Sequence, residues 1–204
     1  MIRNLIYAIL LGVGMAACLS QNENESAEES NVQQQINATE TEVTAPDPTS
    51  LVIEKGQVGN LKIGMPINQV REQVPSGMVI NDTTLMLEGQ QSTAYVLRSK
   101  GQEKGLLIEQ VCEPNCLVWR ISVDSQEYKT AEGLGVGSKY GEIKQAYPIG
   151  TVALVEDNFV AVSEEAGMSF VLDDTQLPQD ARDLGRYNPG NIPANTLVKR
   201  VLLY

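Results

Sequence analysis

Two stretches of this chain, 73 residues apart, repeat one another, and a duplication limits the possible architectures more than any composition does. Leu61, Gly64, Pro75 and Gly77 recur as Leu134, Gly137, Pro148 and Gly150. Between them Ile63 matches Val136, Val70 matches Ile143 and Arg71 matches Lys144. Each copy follows one physical plan. A short apolar strand ends at a glycine able to take a tight turn. Pro66 then suits the first position of a helix, and Ser138 suits the N-cap of its counterpart. Apolar residues follow at helical spacing: Ile67, Val70 and Val74 in one copy, Tyr140, Ile143 and Tyr147 in the other. Pro75 and Pro148 force the preceding residue out of the helical region and stop both helices.

After each helix the pattern turns to strands. The alternation predicts strands over 78–81, 84–88, 93–99, 105–112 and 117–123 in the first copy, and over 151–156, 159–163, 167–172 and 197–203 in the second. Asp157-Asn158 and Glu164 to Gly167 read as hairpin turns. Leu117 to Val123 recurs as Leu197 to Leu203, now 80 residues on, so the second copy carries an insertion. It falls in 173–196, where 178–184 is compatible with a brief helix. The expected fold is α+β: two tandem repeats of a helix followed by antiparallel strands, over 51–130 and 131–204, forming small sheets with the helices packed on one face.

Upstream of the repeats the chain changes character twice. Arg3 precedes an apolar run that ends in Met15-Ala16-Ala17-Cys18. A positive start, an apolar centre and small residues before a cleavage point make a secretory signal. Leu5 to Ala17 is too short for the ~20 apolar residues of a spanning helix. A cysteine directly after the cleavage point resembles the lipobox of bacterial lipoprotein signals, which implies removal of 1–17 and a diacylglycerol on the Cys18 thiol. Residues 18–50 hold seven of the 26 acids and none of the 15 bases, and Ser, Asn, Gln and Thr fill most of the rest. Such a segment reads as a disordered tether, with a reach of roughly 30 Å.

The totals exclude more than they specify. A net charge of −11 gives no electrostatic reason to bind nucleic acid. With no histidine, neither a Ser-His-Asp nor a Cys-His arrangement is possible, and the usual nitrogen ligand of catalytic zinc is missing. No metal site and no cofactor are expected.

Cys112-Glu113-Pro114-Asn115-Cys116 lies between two strands, and in an oxidising compartment its thiols are expected to pair as a structural disulfide. The alternative, a redox or copper C-x3-C site, wants a histidine the chain does not have. Trp119 alternates with Leu117, Ile121 and Val123 and is expected in the core. Arg120 and its repeat-mate Arg200 then project to the opposite face with Ser122, and these three are the candidate partner-binding residues. The acid pairs Glu156-Asp157, Glu164-Glu165 and Asp173-Asp174 fall at expected turns. They leave open carboxylate-based hydrolysis, though none has the spacing of a calcium loop.

Glu132-Gly133-Leu134-Gly135-Val136-Gly137-Ser138 followed by a helix is similar to a motif of bacterial envelope lipoproteins, a largely uncharacterised group. The duplicated helix-then-strands unit resembles the β-lactamase-inhibitor-like fold of the small SmpA/OmlA-type lipoproteins. That resemblance implies binding of another protein by the sheet face or its loops, and no catalytic residue. The expected protein is therefore a non-enzymatic, palmitate-bearing lipoprotein, held by its lipid to the outer membrane on the periplasmic side, with an envelope protein as partner. A carboxylate-dependent cell-wall hydrolase, or a binder of an envelope lipid or glycan in a pocket between helix and sheet, is the alternative.

Overall fold

The computed structural model describes residues 45–87, 89–155, 157–177 and 186–204. The signal, Cys18, nearly all of the tether and the brief helix expected over 178–184 lie outside them. Among the described residues the chain is predominantly β, with thirteen strands and two short helices.

The strands are β1 (Val52–Glu54), β2 (Gln57–Val58), β3 (Leu61–Lys62), β4 (Met78–Leu87), β5 (Gln90–Ser99), β6 (Leu106–Cys112) and β7 (Cys116–Val123). They continue with β8 (Lys129–Thr130), β9 (Thr151–Val155), β10 (Asn158–Ser163), β11 (Met168–Leu172), β12 (Arg186–Tyr187) and β13 (Val198–Leu203). Helix α1 spans Ile67–Glu72 and α2 spans Tyr140–Ala146. A small sheet has the order β3-β2-β1-β8, and a large one the order β12-β9-β10-β11-β13-β7-β6-β5-β4. Every pairing is antiparallel except that of β1 with β8.

This corrects the α+β expectation of two small sheets with helices packed on them. The two copies do not build separate sheets. Each contributes a four-strand meander, β4 to β7 and β9-β10-β11-β13, and the last strands of the two meanders pair with each other. Val201 faces Val123, Leu202 faces Ser122 and Leu203 faces Ile121. The helices are six and seven residues long, because the apolar spacing runs for only two turns before proline ends it. Asn81 and Asp82 do not break a strand. β4 is an edge strand, so exposed polar residues are tolerated along it and it runs ten residues unbroken.

The duplication is visible in the backbone. Gly64 donates to the Val118 carbonyl at 2.7 Å, and Gly137 donates to that of Val198 at 2.8 Å. Val118 donates back to Met65 at 2.8 Å, and Val198 to Ser138 at 2.9 Å. Single bridges join Pro66 to Leu117 and Lys139 to Leu197. Both glycines have positive φ, 81° and 85°, the left-handed turn for which glycine is needed. Helix starts differ from expectation by one residue: Pro66 and Lys139 are the N-caps. Ser138 instead accepts from the Gly135 N–H at 3.0 Å, while the Glu142 carboxylate accepts from the N–H of Lys139 at 2.8 Å.

The core lies on the inner face of the large sheet. One cross-strand row runs Leu97, Leu106, Val123, Val201, Phe170 and Ala161, all buried, and passes from one copy into the other at the β7–β13 pair. Ile67 and Val70 of α1, and Tyr140 and Ile143 of α2, are buried in the same cluster. Because the row is shared, a cavity in either copy should weaken the whole. Phe170→Ala is expected to cost about 3–5 kcal/mol. It should move one urea transition, followed by the fluorescence of Trp119 in the other copy, rather than split it in two.

Candidate functional site

Two features depart from a plain sheet, one on each face. On the outer face, β6 and β7 shift register: Glu109 faces Arg120, but Gln110 faces Val118. Trp119 is the extra residue of a bulge. The same shift recurs where Val171 faces Arg200 and Leu172 faces Val198, with Lys199 as the extra residue. Bulges re-aim side chains, and this one overturns the expected place of Trp119. Val118 and Ile121 are buried, whereas Trp119 is 44% exposed. Simple alternation cannot hold across an inserted residue.

The bulge surrounds an ion pair with apolar surface. The Arg120 guanidinium donates from Nε and Nη2 to the two Glu109 carboxylate oxygens at 2.7 and 2.8 Å. Glu109 is buried, and the paired Arg120 lies with its guanidinium carbon 5.3 Å from the Trp119 ring centroid. Val111, two residues after Glu109 along β6, is 47% exposed. Tyr204 follows Leu203, the partner of Ile121, and is 52% exposed. Its hydroxyl lies 3.0 Å from that of Ser169.

Of the three candidate partner-binding residues, Ser122 is only 3% exposed and presents nothing to a partner. Arg120 is held by Glu109, and Arg200 donates to Asp124 at 2.5 Å. The aromatic and aliphatic groups beside Arg120 were missed because a bulge leaves no mark in composition or periodicity. The only available sign was that Trp119 aligns with a lysine, Lys199, in the other copy.

On the inner face a cleft of about 700 Å³ opens between α1 and the sheet. Its floor is Thr93, Tyr95 and Gln110, with Ile67, Asn68 and Arg71 on the helix side and Asn115 to Leu117 on the other. Arg71 donates through Nη2 to both Asp82 oxygens at 2.7 Å and lies 5.0 Å from the Tyr95 ring centroid. The Asp82 hydrogen bond raises the Arg71 pKa further. Tyr95 donates to the Gln110 side-chain carbonyl at 2.9 Å. Cys112 and Cys116 are joined by a disulfide, S–S 2.05 Å, which closes the hairpin forming one rim.

Among the described residues no group of three or more His, Cys, Asp or Glu is placed to hold a metal ion. No described helix is long and apolar enough to cross a membrane. Of the acid pairs, Glu156 lies outside the described residues, and the other two do not form a cluster. Glu164 and Glu165 sit exposed at a turn. Asp173 caps a short 3-10 turn, and both it and Asp174 pair with Lys199, at 3.3 and 2.7 Å. Hydrogen bonds from Thr175 to Asp173, and from Lys199 to Asp174, hold both carboxyls below the usual aspartate range, the wrong direction for a general acid.

No protein-family model and no curated protein matches the chain. Among solved structures it is similar to the crystal structure of the uncharacterized protein yfeY from Escherichia coli. The two share 12% identity over 74% of this chain and 98% of that one, with a TM-score of 0.55. At that identity the likeness concerns the fold alone.

The depressed Asp173 and Asp174 carboxyls give a pH dependence with a definite sign. A carboxylate whose folded pKa lies below its unfolded one stabilises above the unfolded value, and the effect fades as pH falls through the folded one. Lys199→Met is therefore expected to lower the urea midpoint at neutral pH, with the difference from native shrinking as the pH falls below the ordinary aspartate range.

Proposed function

We propose that this chain is a non-catalytic envelope lipoprotein that binds a protein partner through the outer face of its sheet, at the bulge carrying Trp119. The observation that carries the reading is exposed Trp119 against the guanidinium of the Arg120–Glu109 pair, on a face that also exposes Val111 of β6 and Tyr204 at the end of β13. Apolar rings beside an arginine fixed by a buried carboxylate match the composition of interface hot spots, which are rich in Trp, Tyr and Arg. Such side chains on a rigid sheet lose little conformational freedom on binding.

The location belongs to the same proposal. Acylation at Cys18, after removal of 1–17, anchors the domain through the acidic 18–50 tether to the outer membrane, facing the periplasm. Leu19 rather than an aspartate follows the cysteine, and the rank of Ser, Asn, Gln and Glu keeps the tether soluble.

The test is affinity capture of the native chain after crosslinking in intact cells. One discrete partner is expected. Trp119→Ser together with Tyr204→Ser should abolish its recovery without changing the amount of folded protein. Cys18→Ser should release the chain from the membrane fraction. An unchanged partner profile in the double variant contradicts the surface assignment, and continued membrane attachment of Cys18→Ser contradicts the anchor.

A further inference from the structure

The internal duplication allows a comparison that a single copy does not. Gln110 pairs with Val118 and Leu172 with Val198, and these pairs occupy the same place in the two repeats. By the same registers Thr93 corresponds to Phe159 and Tyr95 to Ala161. In the second copy this floor is apolar and covered. Phe159, Ala161 and Leu172 are buried in one cluster with Leu177 and Ile192 of the long 173–197 connection. The Tyr140 hydroxyl donates to the Pro189 carbonyl at 2.9 Å, fastening that connection to α2.

In the first copy the same connection is three residues long, Glu113 to Asn115, and is closed by the disulfide. Nothing from it reaches across the floor. Of the matching positions, Thr93 and Gln110 are polar and reach the surface, while the Tyr95 ring is buried in the core with its hydroxyl on Gln110; the space beside them is the 700 Å³ cleft. A volume of that size falls within the range typical of small-molecule sites.

We propose that the cleft beside α1 is a binding site for an uncharged saccharide. This goes beyond partner binding, since the site lies on the opposite face of the sheet. Three features set the ligand class. Among the described residues lining the cleft, the one charged side chain, Arg71, is paired with both oxygens of Asp82, so the site offers little net attraction for an anion. The strands of the floor, β5 and β6, are paired on both sides, so a peptide cannot add to them by strand pairing. What remains is a set of neutral side chains that both donate and accept: Asn68, Thr93, Asn115 and Gln110. Tyr95 occupies the Gln110 carbonyl and leaves its amide NH2 as a donor. Sugar hydroxyls, themselves donors and acceptors, match that set.

The experiment is calorimetric titration of the full-length protein, in mild detergent, with two neutral probes, the trimer of N-acetylglucosamine and maltotriose. At least one should bind at one site per chain. Asn68→Ala with Gln110→Ala should weaken it about tenfold, the effect expected from losing two hydrogen bonds, and Thr93→Val should weaken it less. Trp119→Ser should leave saccharide binding unchanged, so failure of the partner surface and failure of the cleft read out separately. Absence of binding by both trisaccharides, or equal affinity in the double variant, overturns the proposal. So does saturation only by a peptide or an anion.

Discussion

The pairing of β7 with β13 is the contact on which the rest of this structure depends. It turns two four-strand meanders into one sheet and carries an unbroken row of buried side chains from copy to copy. A four-strand meander with a six- or seven-residue helix buries little apolar surface by itself, and small units with small cores are marginal. Joined edge to edge, each copy also hides the strand edge that alone would invite pairing with another chain. The parallel contact of β1 with β8 adds a second tie, since it brings the segment ahead of the first helix against the segment ahead of the second.

The symmetry is kept where the fold requires it and broken where the surface is free to vary. The glycine turns, the bridges ahead of each helix and both bulges recur. The side chains exposed by those bulges do not. One copy shows Trp119 beside an arginine held by a buried glutamate. The other shows Lys199 pairing with Asp173 and Asp174. The inner face diverges likewise: a long connection covers an apolar floor in the second copy, and a short disulfide-closed hairpin leaves Thr93 and Gln110 accessible in the first. Duplication followed by such divergence gives one scaffold two distinct surfaces near the same hairpin.

Much of the local structure was legible in the sequence. The repeat itself, the glycine turns, the ends of both helices at proline and most strand positions follow from spacing and turn chemistry. The fold class did not follow. Whether two repeats stand side by side as separate sheets or merge depends on which strand edges meet, and the alternating pattern of Ile121-Ser122-Val123 and Val201-Leu202-Leu203 is the same in either case. The two-turn helices also looked more prominent in the pattern than they are in the structure. For the outer surface, the strand position of Arg120 was legible but its setting was not. One inserted residue reverses the side-chain alternation, and a bulge needs no glycine or proline to announce it. Of the inner cleft the sequence offered only the alternative of a lipid or glycan binder with a pocket between helix and sheet. Its polarity became meaningful once register showed which residues of the other copy stand in its place.

Hydrogen–deuterium exchange of the native protein, resolved by residue, tests the central claim most directly. If the two meanders form one sheet through β7 and β13, the amides of Ile121, Val123, Val201 and Leu203 exchange slowest, with the same opening free energy and the same denaturant dependence in both copies. If the strands of the second copy open together at a lower free energy while those of the first stay protected, the two copies are separate units and the account of a single shared sheet is wrong.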